Sequence, residues 1–304
     1  MGIKKEFNLL NMVNPCEILK SAQLGHYAIG AFNFSTAEIL KAIVMAAKEL
    51  NASVIVSTSE GEAGFFGIRE AAALVDAWRR GAGLAIILNL DHGRHMPDIK
   101  KAVAAGYNAI HFDGSGLSYE ENLRQTKYVV DYIRGVEKTF DKEIIVEGEL
   151  GYLRGSSLLH KEEIEIKPED LTRPEQAKEF ADKTGVDSLA IAIGNAHGVF
   201  LKSDERLDLE RLSQIRAALE GKAFLVLHGG SGISVDDIKK AISLGIVKVN
   251  INTELRVAYK EALDEQLEQR PEETTPYKIM EGPFEEVKKV VAEKIKLFGS
   301  VNKI

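Results

Sequence analysis

Three histidines of this 304-residue chain stand beside glycine where an apolar run ends, namely His92, His197 and His228. Imidazole is a favoured zinc ligand, and three protein ligands with one open position are typical of a catalytic zinc site. One such histidine is usually structural, but three in the same setting favour metal binding. The adjoining glycines let backbone or substrate approach closely. The pattern therefore predicts a catalytic zinc held by these histidines.

Carboxylates occur in the same positions. Asp91 directly precedes His92, while Asp113 and Glu149 end two further apolar runs. Glu147 alternates with Glu149, so in a strand both side chains would face the same side. Such carboxylates often only cap the following helix. Beside a cation, however, clustered carboxylates transfer protons or hold a second metal ion, and we predict these roles here.

A glycine-rich turn and two hydroxyl side chains indicate an anion site. The turn has the sequence His-Gly-Gly-Ser-Gly at 228–232, and Asn252 and Thr253 follow a later apolar run. Successive backbone N–H groups around glycines form a nest for anions, to which Ser231 and Thr253 can add hydroxyl donors. The combination predicts a phosphate site.

The elements that must position these residues alternate regularly between two kinds. Short β-branched runs are typical of strands buried on both faces, and longer runs with helical periodicity lie between them. Ser-Thr-Ala-Glu at 35–38 is a capping box, and Pro174 and Gly185 bracket another helical run. The predicted strands span 28–33, 53–57, 84–90, 109–112, 144–148, 188–193, 223–227 and 247–251.

Eight βα units in series predict an α/β fold, a single (β/α)8 TIM barrel, although periodicity by itself also permits an open eight-stranded sheet. In a barrel, the carboxyl ends of all strands share one mouth, and the reactive residues follow these ends. The loops after the seventh and eighth strands are the usual phosphate grip, and the glycine-rich turn and Thr253 lie there.

No linker divides the chain, so we predict a single domain over 1–304, with the barrel at about 26–254. A C-terminal helical extension follows at about 255–304. The helices added to the barrel are predicted at 14–25, 254–269 and 284–298, the last two around a polar loop at 270–275.

The composition argues against several classes of protein. A net charge of −7 without a dense Lys/Arg block argues against a nucleic-acid partner. The single cysteine, Cys16, permits no intrachain disulfide, which fits a reducing cytoplasm. No apolar run approaches the ~18–20 residues of a membrane span, and the N-terminal residues lack the apolar core of a signal peptide. We therefore predict a cytoplasmic protein with no membrane partner.

The four remaining histidines offer alternatives to the predicted ligands. His95 and His111 are close enough in sequence to replace one of them. His111 lies inside a predicted strand, where a core or outward-facing position is expected. His26 and His160 fall in predicted loops and are expected to be solvated.

Taken in order, the motifs resemble those of the class II, metal-dependent fructose-bisphosphate and tagatose-bisphosphate aldolases. The resemblance runs from about Asn14 to the C-terminus with compatible spacing. The matching motifs are Leu-Asp-His-Gly at 90–93, Asp-Gly-Ser at 113–115, Glu-Gly-Glu-Leu-Gly at 147–151, Ala-His-Gly at 196–198, Leu-His-Gly-Gly-Ser-Gly at 227–232 and Val-Asn-Ile-Asn-Thr-Glu at 249–254.

The resemblance implies a role for each matching residue. The three histidines would bind the catalytic zinc, and Asp91 would shuttle the proton at the C4 oxygen of a ketose. Asp113 and Glu149 would hold a second, looser cation, divalent or monovalent. Ser59 would contact the substrate phosphate at the end away from the ketone. Asn250 would also stabilise the enediolate. The residues that would grip dihydroxyacetone phosphate are Gly198, Gly229, Gly230, Ser231, Asn250, Asn252 and Thr253.

The implied activity is reversible aldol cleavage of a ketose 1,6-bisphosphate to dihydroxyacetone phosphate and an aldehyde phosphate. The favoured substrate is fructose 1,6-bisphosphate. The resemblance also implies a homodimer or homotetramer that serves glycolysis. Tagatose 1,6-bisphosphate or another phosphorylated ketose or ketonate is the nearest alternative substrate. More distant alternatives are a metal-dependent barrel hydrolase, a catalytically silent binding protein, and a Schiff-base aldolase that uses Lys248.

The sequence departs from the family pattern in several places. The loop that usually carries a Gly-Gly pair and two acidic residues here offers Glu162 or Glu163 as the second acid/base. In the C-terminal tail, Lys278 stands where relatives often have arginine. After the Asp-His-Gly motif, Arg94 and His95 replace the usual small residues. These changes concern the aldehyde half of the substrate more than the metal or the ketone half.

Overall fold

Eight parallel strands close into a barrel in the computed structural model of this chain. The structure describes 14–140, 142–160, 165–200 and 207–304, and at 156–160, 197, 199 and 200 it describes the backbone alone. In chain order the strands are β1 (Ile29–Asn33), β2 (Val54–Ser59), β3 (Ile86–Gly93), β4 (Ala109–Phe112), β5 (Ile145–Leu150), β6 (Gly155–His160), β7 (Ser188–Ile191), β8 (His197–Phe200), β9 (Phe224–Leu227) and β10 (Ile246–Ile251). Around the barrel their order is β1-β10-β9-β7-β5-β4-β3-β2. The predicted TIM barrel is confirmed, and the open sheet is excluded.

Twelve α-helices among the described residues flank or extend the barrel. They are α1 (Pro15–Gly25), α2 (Ala37–Glu49), α3 (Glu60–Phe66), α4 (Ile68–Ala82), α5 (Met96–Ala105), α6 (Tyr119–Phe140), α7 (Pro174–Thr184), α8 (Leu209–Leu219), α9 (Val235–Ser243), α10 (Thr253–Gln269), α11 (Pro276–Ile279) and α12 (Glu281–Leu297). No helix in these ranges is both long and apolar enough to span a bilayer.

The helices begin and end near the residues that the sequence predicts for helix termini. Thr36 caps α2, because its hydroxyl accepts a hydrogen bond from the Ile39 N–H at 3.3 Å, one residue after Ser35 of the capping box. Pro174 begins α7, and Gly185 ends it in the left-handed conformation at φ 73°. A helix leaves backbone groups unpaired at both ends, and residues of these types stabilise the ends.

The barrel interior is apolar at one end and polar at the other. Every second residue of a barrel strand points inward. At the amino-terminal end, inward residues such as Ile29 and Ile87 pack with Leu19 and Ala22 of α1, which covers that end. Toward the carboxyl end the same inward rows become polar. The buried polar residues of these rows are Asn33, Ser57, Asn89, Asp91, His111, Glu147 and Glu149.

Strand β10 departs from this alternation. Its register against β9 shifts between Ile246 and Lys248, which is the mark of a β-bulge. Val247 therefore packs in the inward apolar cluster, and Lys248 also points inward to pair with Glu147. The bulge thus adds a buried cation to the polar end of the barrel.

Elements outside the barrel were predicted less completely. Helices α10 and α12 begin and end near the predicted bounds, and α12 packs against α2 and α10. The short helix α11 was not predicted. Strands β6 and β8 form a separate parallel two-stranded sheet, which was also not predicted. Their sequences, Gly-Ser-Ser-Leu-Leu-His and His-Gly-Val-Phe, are too short and irregular to show a strand period.

Candidate active site

The carboxyl ends of the barrel strands meet around one polar cavity. Of its described lining residues, Asn33 alone was not predicted for metal binding, catalysis or substrate binding. The lining residues are Asn33, Asp91, His92, Gly198, His228, Gly229, Ser231, Asn250, Asn252 and Thr253. Residues far apart in the sequence thus share one site, as the geometry of a barrel predicts.

Asp91 is a buried carboxylate in this cavity, with 5% of its surface exposed. Asn250 Nδ2 donates to its Oδ1 at 3.0 Å, and Asn33 Nδ2 donates to its Oδ2 at 3.0 Å. The two amides therefore fix the direction of the carboxylate. Within the part of the chain that is described, the buried amide oxygens of both asparagines have no hydrogen-bond partner. Because buried polar atoms are normally paired, these oxygens suit a bound polar ligand.

His92, the next-to-last residue of β3, has a left-handed backbone with φ 51°, which is uncommon for a residue other than glycine. Its backbone N–H donates to His111 Nδ1 at 3.1 Å, and its own Nδ1 lies 3.1 Å from Asp113 Oδ2. A carboxylate accepts hydrogen bonds, so Nδ1 carries the proton of the neutral ring and Nε2 carries the lone pair. The turn and Asp113 together aim that lone pair into the cavity.

His228 is held in the same way by a different carboxylate. Its Nε2 lies 2.7 Å from Glu147 Oε1, and Lys248 Nζ donates to Glu147 Oε2 at 2.8 Å. His228, Glu147 and Lys248 are 1%, 2% and 3% exposed. The ammonium group stabilises the anionic form of Glu147. In the neutral ring of His228, Nε2 therefore carries the proton and Nδ1 the lone pair.

The two histidine lone pairs converge on one point. His92 Nε2 and His228 Nδ1 are 3.2 Å apart, and in these tautomers neither has a proton to share with the other. Two nitrogens at about 2.0–2.1 Å from a tetrahedral zinc would lie about 3.3 Å apart. Carboxylates on the far nitrogens are the usual means of orienting metal-binding histidines. The donor set therefore fits a divalent metal ion.

His111 points into the barrel interior, so the expected core position is confirmed and the outward-facing alternative was wrong. It is fully buried, and its ring centroid lies 4.6 Å from those of both His92 and His228. Its Nδ1 accepts the His92 N–H, and its Nε2 lies 3.0 Å from Glu149 Oε2. Nδ1 is thus engaged by the His92 backbone, whereas Nε2 and Glu149 Oε2 lack hydrogen-bond geometry within the described chain. His111 also lies within the candidate ligand group of Asp91, His92 and His228. Its parity with Asp113, two residues along the chain, was the available signal.

Some predictions fall on parts of the chain whose side chains are not described. The backbone of His197 begins β8, but its side chain lies outside the described residues, so its role as third ligand stays a prediction. Glu162 and Glu163 also lie outside the described residues. The second cation at Asp113 and Glu149 stays a prediction as well.

Most of the residues predicted to bind phosphate form part of the cavity wall. Gly229 has φ 63°, and a Cβ there would lie 2.0 Å from the carbonyl oxygen of Ala196, so only glycine fits. Helix α10 begins beside it at Thr253, and Asn252 makes no side-chain cap within the described chain. The N-terminus of a helix favours an anion. The Ser231 hydroxyl lies at this end and accepts the Glu254 N–H at 3.4 Å.

Two predicted substrate residues do not line the cavity. A Cβ on Gly230 would lie 2.5 Å from Val249 Cγ1, so this glycine allows close packing behind the wall. Ser59 caps α3, where its Oγ accepts the Glu62 N–H at 3.2 Å. The Ser59 hydroxyl is thus occupied as a helix cap in this structure.

Asn33 and Glu62 were missed by the sequence reasoning. Glu62 Oε2 accepts hydrogen bonds from the Ser59 N–H at 2.7 Å and from Asn33 Nδ2 at 2.9 Å. Asn33 therefore bridges the carboxyls of Glu62 and Asp91. The available signals were a polar residue at the end of an apolar run and the capping box Ser-Glu-Gly-Glu at 59–62.

Burial and neighbouring charges act in opposite directions on the site carboxyls. Burial raises the pKa of Asp91, but the imidazoles around it, His92 first, lower that pKa well below its ordinary value. Burial also raises the pKa of Glu147, and the Lys248 ammonium leads the groups that lower it below its ordinary value. For Glu62, burial prevails and raises the pKa. Positive charge beside Asp91, on protonated rings or on a metal ion bound by the neutral ones, thus keeps its carboxyl group ionised.

Replacing the buried cation is expected to destabilise the fold. Lys248→Met leaves Glu147 as a buried carboxylate without its ammonium partner, and breaking a buried pair from one side costs about 3–5 kcal/mol. The free energy of unfolding in urea measures this. Lys101→Met, which removes an exposed pair with Asp98, is the matched control and should change it by less than about 0.5 kcal/mol. Equal stability of both variants would contradict the assignment.

The chain is similar to a known protein family and to solved structures over nearly its whole length. Residues 13–303 match the family described as fructose-bisphosphate aldolase class-II. Among solved structures, the YdjI aldolase from Escherichia coli K12 is 35% identical with a TM-score of 0.79, over 95% of this chain and 98% of that chain. The fructose-bisphosphate aldolase Fba from Campylobacter jejuni is 24% identical with a TM-score of 0.79, over 95% of each chain, and shares the fold.

Proposed function

Because the chain belongs to the class II fructose-bisphosphate aldolase family, we propose that it is a zinc enzyme that cleaves fructose 1,6-bisphosphate. Family membership makes it a metal-dependent lyase acting on an aldol of a sugar phosphate. The proposed products are dihydroxyacetone phosphate and an aldehyde phosphate. One observation supports this most directly: two imidazole lone pairs converge beside an oriented carboxylate, in a cavity whose wall includes Gly229 and Ser231 of the glycine-rich turn.

We assign the catalytic metal to His92 Nε2 and His228 Nδ1, with His197 as the proposed third ligand. The converging nitrogens and the carboxylates behind both rings support the first two assignments. Nitrogen donors are compatible with zinc, and three protein ligands would leave one position for substrate.

The proposed cleavage begins at the C4 hydroxyl of the ketose. Asp91, held by Asn33 and Asn250, takes the hydroxyl proton, the C3–C4 bond breaks, and C4 leaves as an aldehyde. The electron pair of the broken bond passes through C3 to the C2 oxygen, where the Asn250 amide helps to stabilise the charge. A divalent metal held by the proposed histidine ligands would supply Lewis-acid chemistry to the ketone. A proton delivered to C3, by solvent or by the predicted second acid/base Glu162 or Glu163, then completes dihydroxyacetone phosphate, and Asp91 releases its proton to solvent.

The remaining residues of the cavity would bind the ketone half of the substrate. The backbone around Gly198, Gly229 and Gly230 and the hydroxyls of Ser231 and Thr253 would hold its phosphate, beside Asn252. Holding the phosphate fixes C2 and C3 relative to the carboxylate of Asp91. Ser59 is the proposed contact for the far phosphate, which requires its hydroxyl to leave or share its role as a cap.

Other substrates of the same reaction class are the nearest alternative. Tagatose 1,6-bisphosphate, or another phosphorylated ketose or ketonate, would present the same ketone half to the anion nest. A Schiff-base mechanism is disfavoured because Lys248 is buried in an ion pair with Glu147 and lies off the described cavity wall. A hydrolase would have no need for the anion nest beside the metal ligands.

Chelation tests the metal mechanism. We expect cleavage of fructose 1,6-bisphosphate to vanish after treatment with a chelator and to return when zinc is added, since polarisation of the C2 carbonyl depends on the metal. Release of dihydroxyacetone phosphate is the measurement, with tagatose 1,6-bisphosphate assayed in parallel. Activity that survives chelation, together with inactivation by borohydride in the presence of substrate, would contradict the proposal. Zinc binding without cleavage of either sugar would retain the metal site and reject these substrates.

We also propose that the enzyme is a homodimer or homotetramer, as the family resemblance implies. Light scattering of the purified chain gives the mass of the particle. A monomer at micromolar concentration would contradict this proposal without affecting the metal site.

A further inference from the structure

Arg94 lies where the family resemblance places a second cation. His92, Asp113 and Glu149 each offer a ligand atom, and these atoms lie within 4.8 Å of one another. The guanidinium of Arg94, whose side chain is 64% exposed, contacts this group at Asp113, with Nη2 at 2.6 Å and Nε at 3.0 Å from Oδ2. The Arg94 backbone N–H donates to Glu60 Oε1 at 2.7 Å, which fixes the start of the side chain.

The hydrogen bonds of Asp113 leave no lone pair for a metal ion. A carboxylate oxygen offers about two lone-pair positions. Oδ1 accepts the Ser115 N–H at 3.1 Å and the Ser115 hydroxyl at 2.6 Å. Oδ2 accepts His92 Nδ1–H at 3.1 Å in addition to the two guanidinium contacts. A cation could bind Asp113 only after displacing Arg94 or the orienting bond to His92.

The same arrangement occurs at the second histidine. His228 is oriented by Glu147, and Glu147 is neutralised by Lys248; His92 is oriented by Asp113, and Asp113 is neutralised by Arg94. In both cases a side-chain cation balances the carboxylate that orients a metal ligand. Asp113 therefore has a complete role without any second ion.

We infer that Arg94 takes the place of a second metal ion, so that each chain binds one metal ion, at the catalytic site. Asp113 is a positioning residue for His92, and Arg94 supplies the positive charge that the carboxylate pair of Asp113 and Glu149 would otherwise draw from solution. The inference rests on the proposed catalytic metal site. It excludes the second cation that the family resemblance implies.

Metal stoichiometry tests the inference independently of activity. Chelated full-length chain is titrated calorimetrically with zinc, and the metal content after gel filtration is measured by mass spectrometry. The native chain should bind one ion. Arg94→Ala frees lone pairs on Asp113 beside Glu149, and the variant should bind two ions, the second more weakly. Arg124→Ala is the matched control, because it removes an exposed pair with Glu121, neither of which lines the cavity, and it should bind one ion.

Arg94→Gln provides a second variant of similar length and should also bind two ions. Circular dichroism melting verifies that each variant is folded before titration. Two ions on the native chain, or one ion on both folded Arg94 variants, would overturn the inference while leaving the proposed aldolase metal in place. A native chain that binds no ion would overturn the proposed metal enzyme and the inference with it.

Discussion

Asp91→Asn is expected to lower kcat for cleavage of the proposed sugar substrate about 1000-fold, within the range that general acid–base groups contribute. The amide cannot take the C4 hydroxyl proton, although it has nearly the shape of the carboxylate. KM should change much less than kcat, since the proposed phosphate-binding residues and metal ligands for the ketone half are retained. Release of dihydroxyacetone phosphate, measured with a coupled assay, gives both constants.

The interpretation of this variant depends on its metal content. Zinc per chain should match the native protein, because Asp91 is held by two asparagine amides and lies 3.9 Å from the nearest ring nitrogen of His92. Asp98→Asn, on the outer helix α5, is the matched control and should retain native activity. A folded Asp91→Asn enzyme with full zinc and more than a tenth of native kcat would contradict the role of Asp91.

His228→Ala is expected to weaken zinc binding by more than about 100-fold and to abolish cleavage. Loss of a residue that merely orients a ligand already costs about 10–100-fold in affinity, and this variant removes a ligand itself. It also leaves the Glu147 carboxylate without one of its three buried partners, which are His228, Lys248 and Ser188. Competition between the protein and a zinc-binding dye measures the affinity.

His95→Ala is the matched control for the loss of an imidazole near the cavity. Its side chain is 68% exposed and pairs with Glu60, so zinc affinity and the free energy of unfolding should change little. If His228→Ala folds and retains native zinc affinity, the metal must be bound elsewhere. Excess zinc should restore part of the His228→Ala activity only if the remaining ligands still form the site.

Most of the architecture could be predicted from local patterns. Each barrel strand is a short β-branched run, and each predicted strand overlaps an observed one, because burial on both faces requires such runs whatever the neighbours are. Caps such as Thr36 and Gly185 bond backbone groups a few residues away, so they too are visible in sequence. Strands β6 and β8 and helix α11 were missed because their short segments depend on contacts made after folding.

Part of the candidate site could also be predicted from local sequence patterns. Asp91, His92 and His228 follow strand ends, and strand ends of a barrel share one mouth, so their convergence required only the fold class. The outward-facing alternative was wrong for His111, and Asn33 was missed. The position of each side chain depends on which face of its strand points inward. That face is fixed by packing against α1 and by the register of neighbouring strands.

The sequence by itself determined the eight βα units, the family resemblance and the residues at the strand ends, since these are properties of short segments in order. Only the tertiary structure decided how the carboxylates divide their roles. The bulge in β10 brings Lys248 to Glu147, and the left-handed turn at His92 brings Arg94 to Asp113. These pairs join residues up to 101 positions apart, and their geometry depends on strand register, which local sequence patterns do not encode.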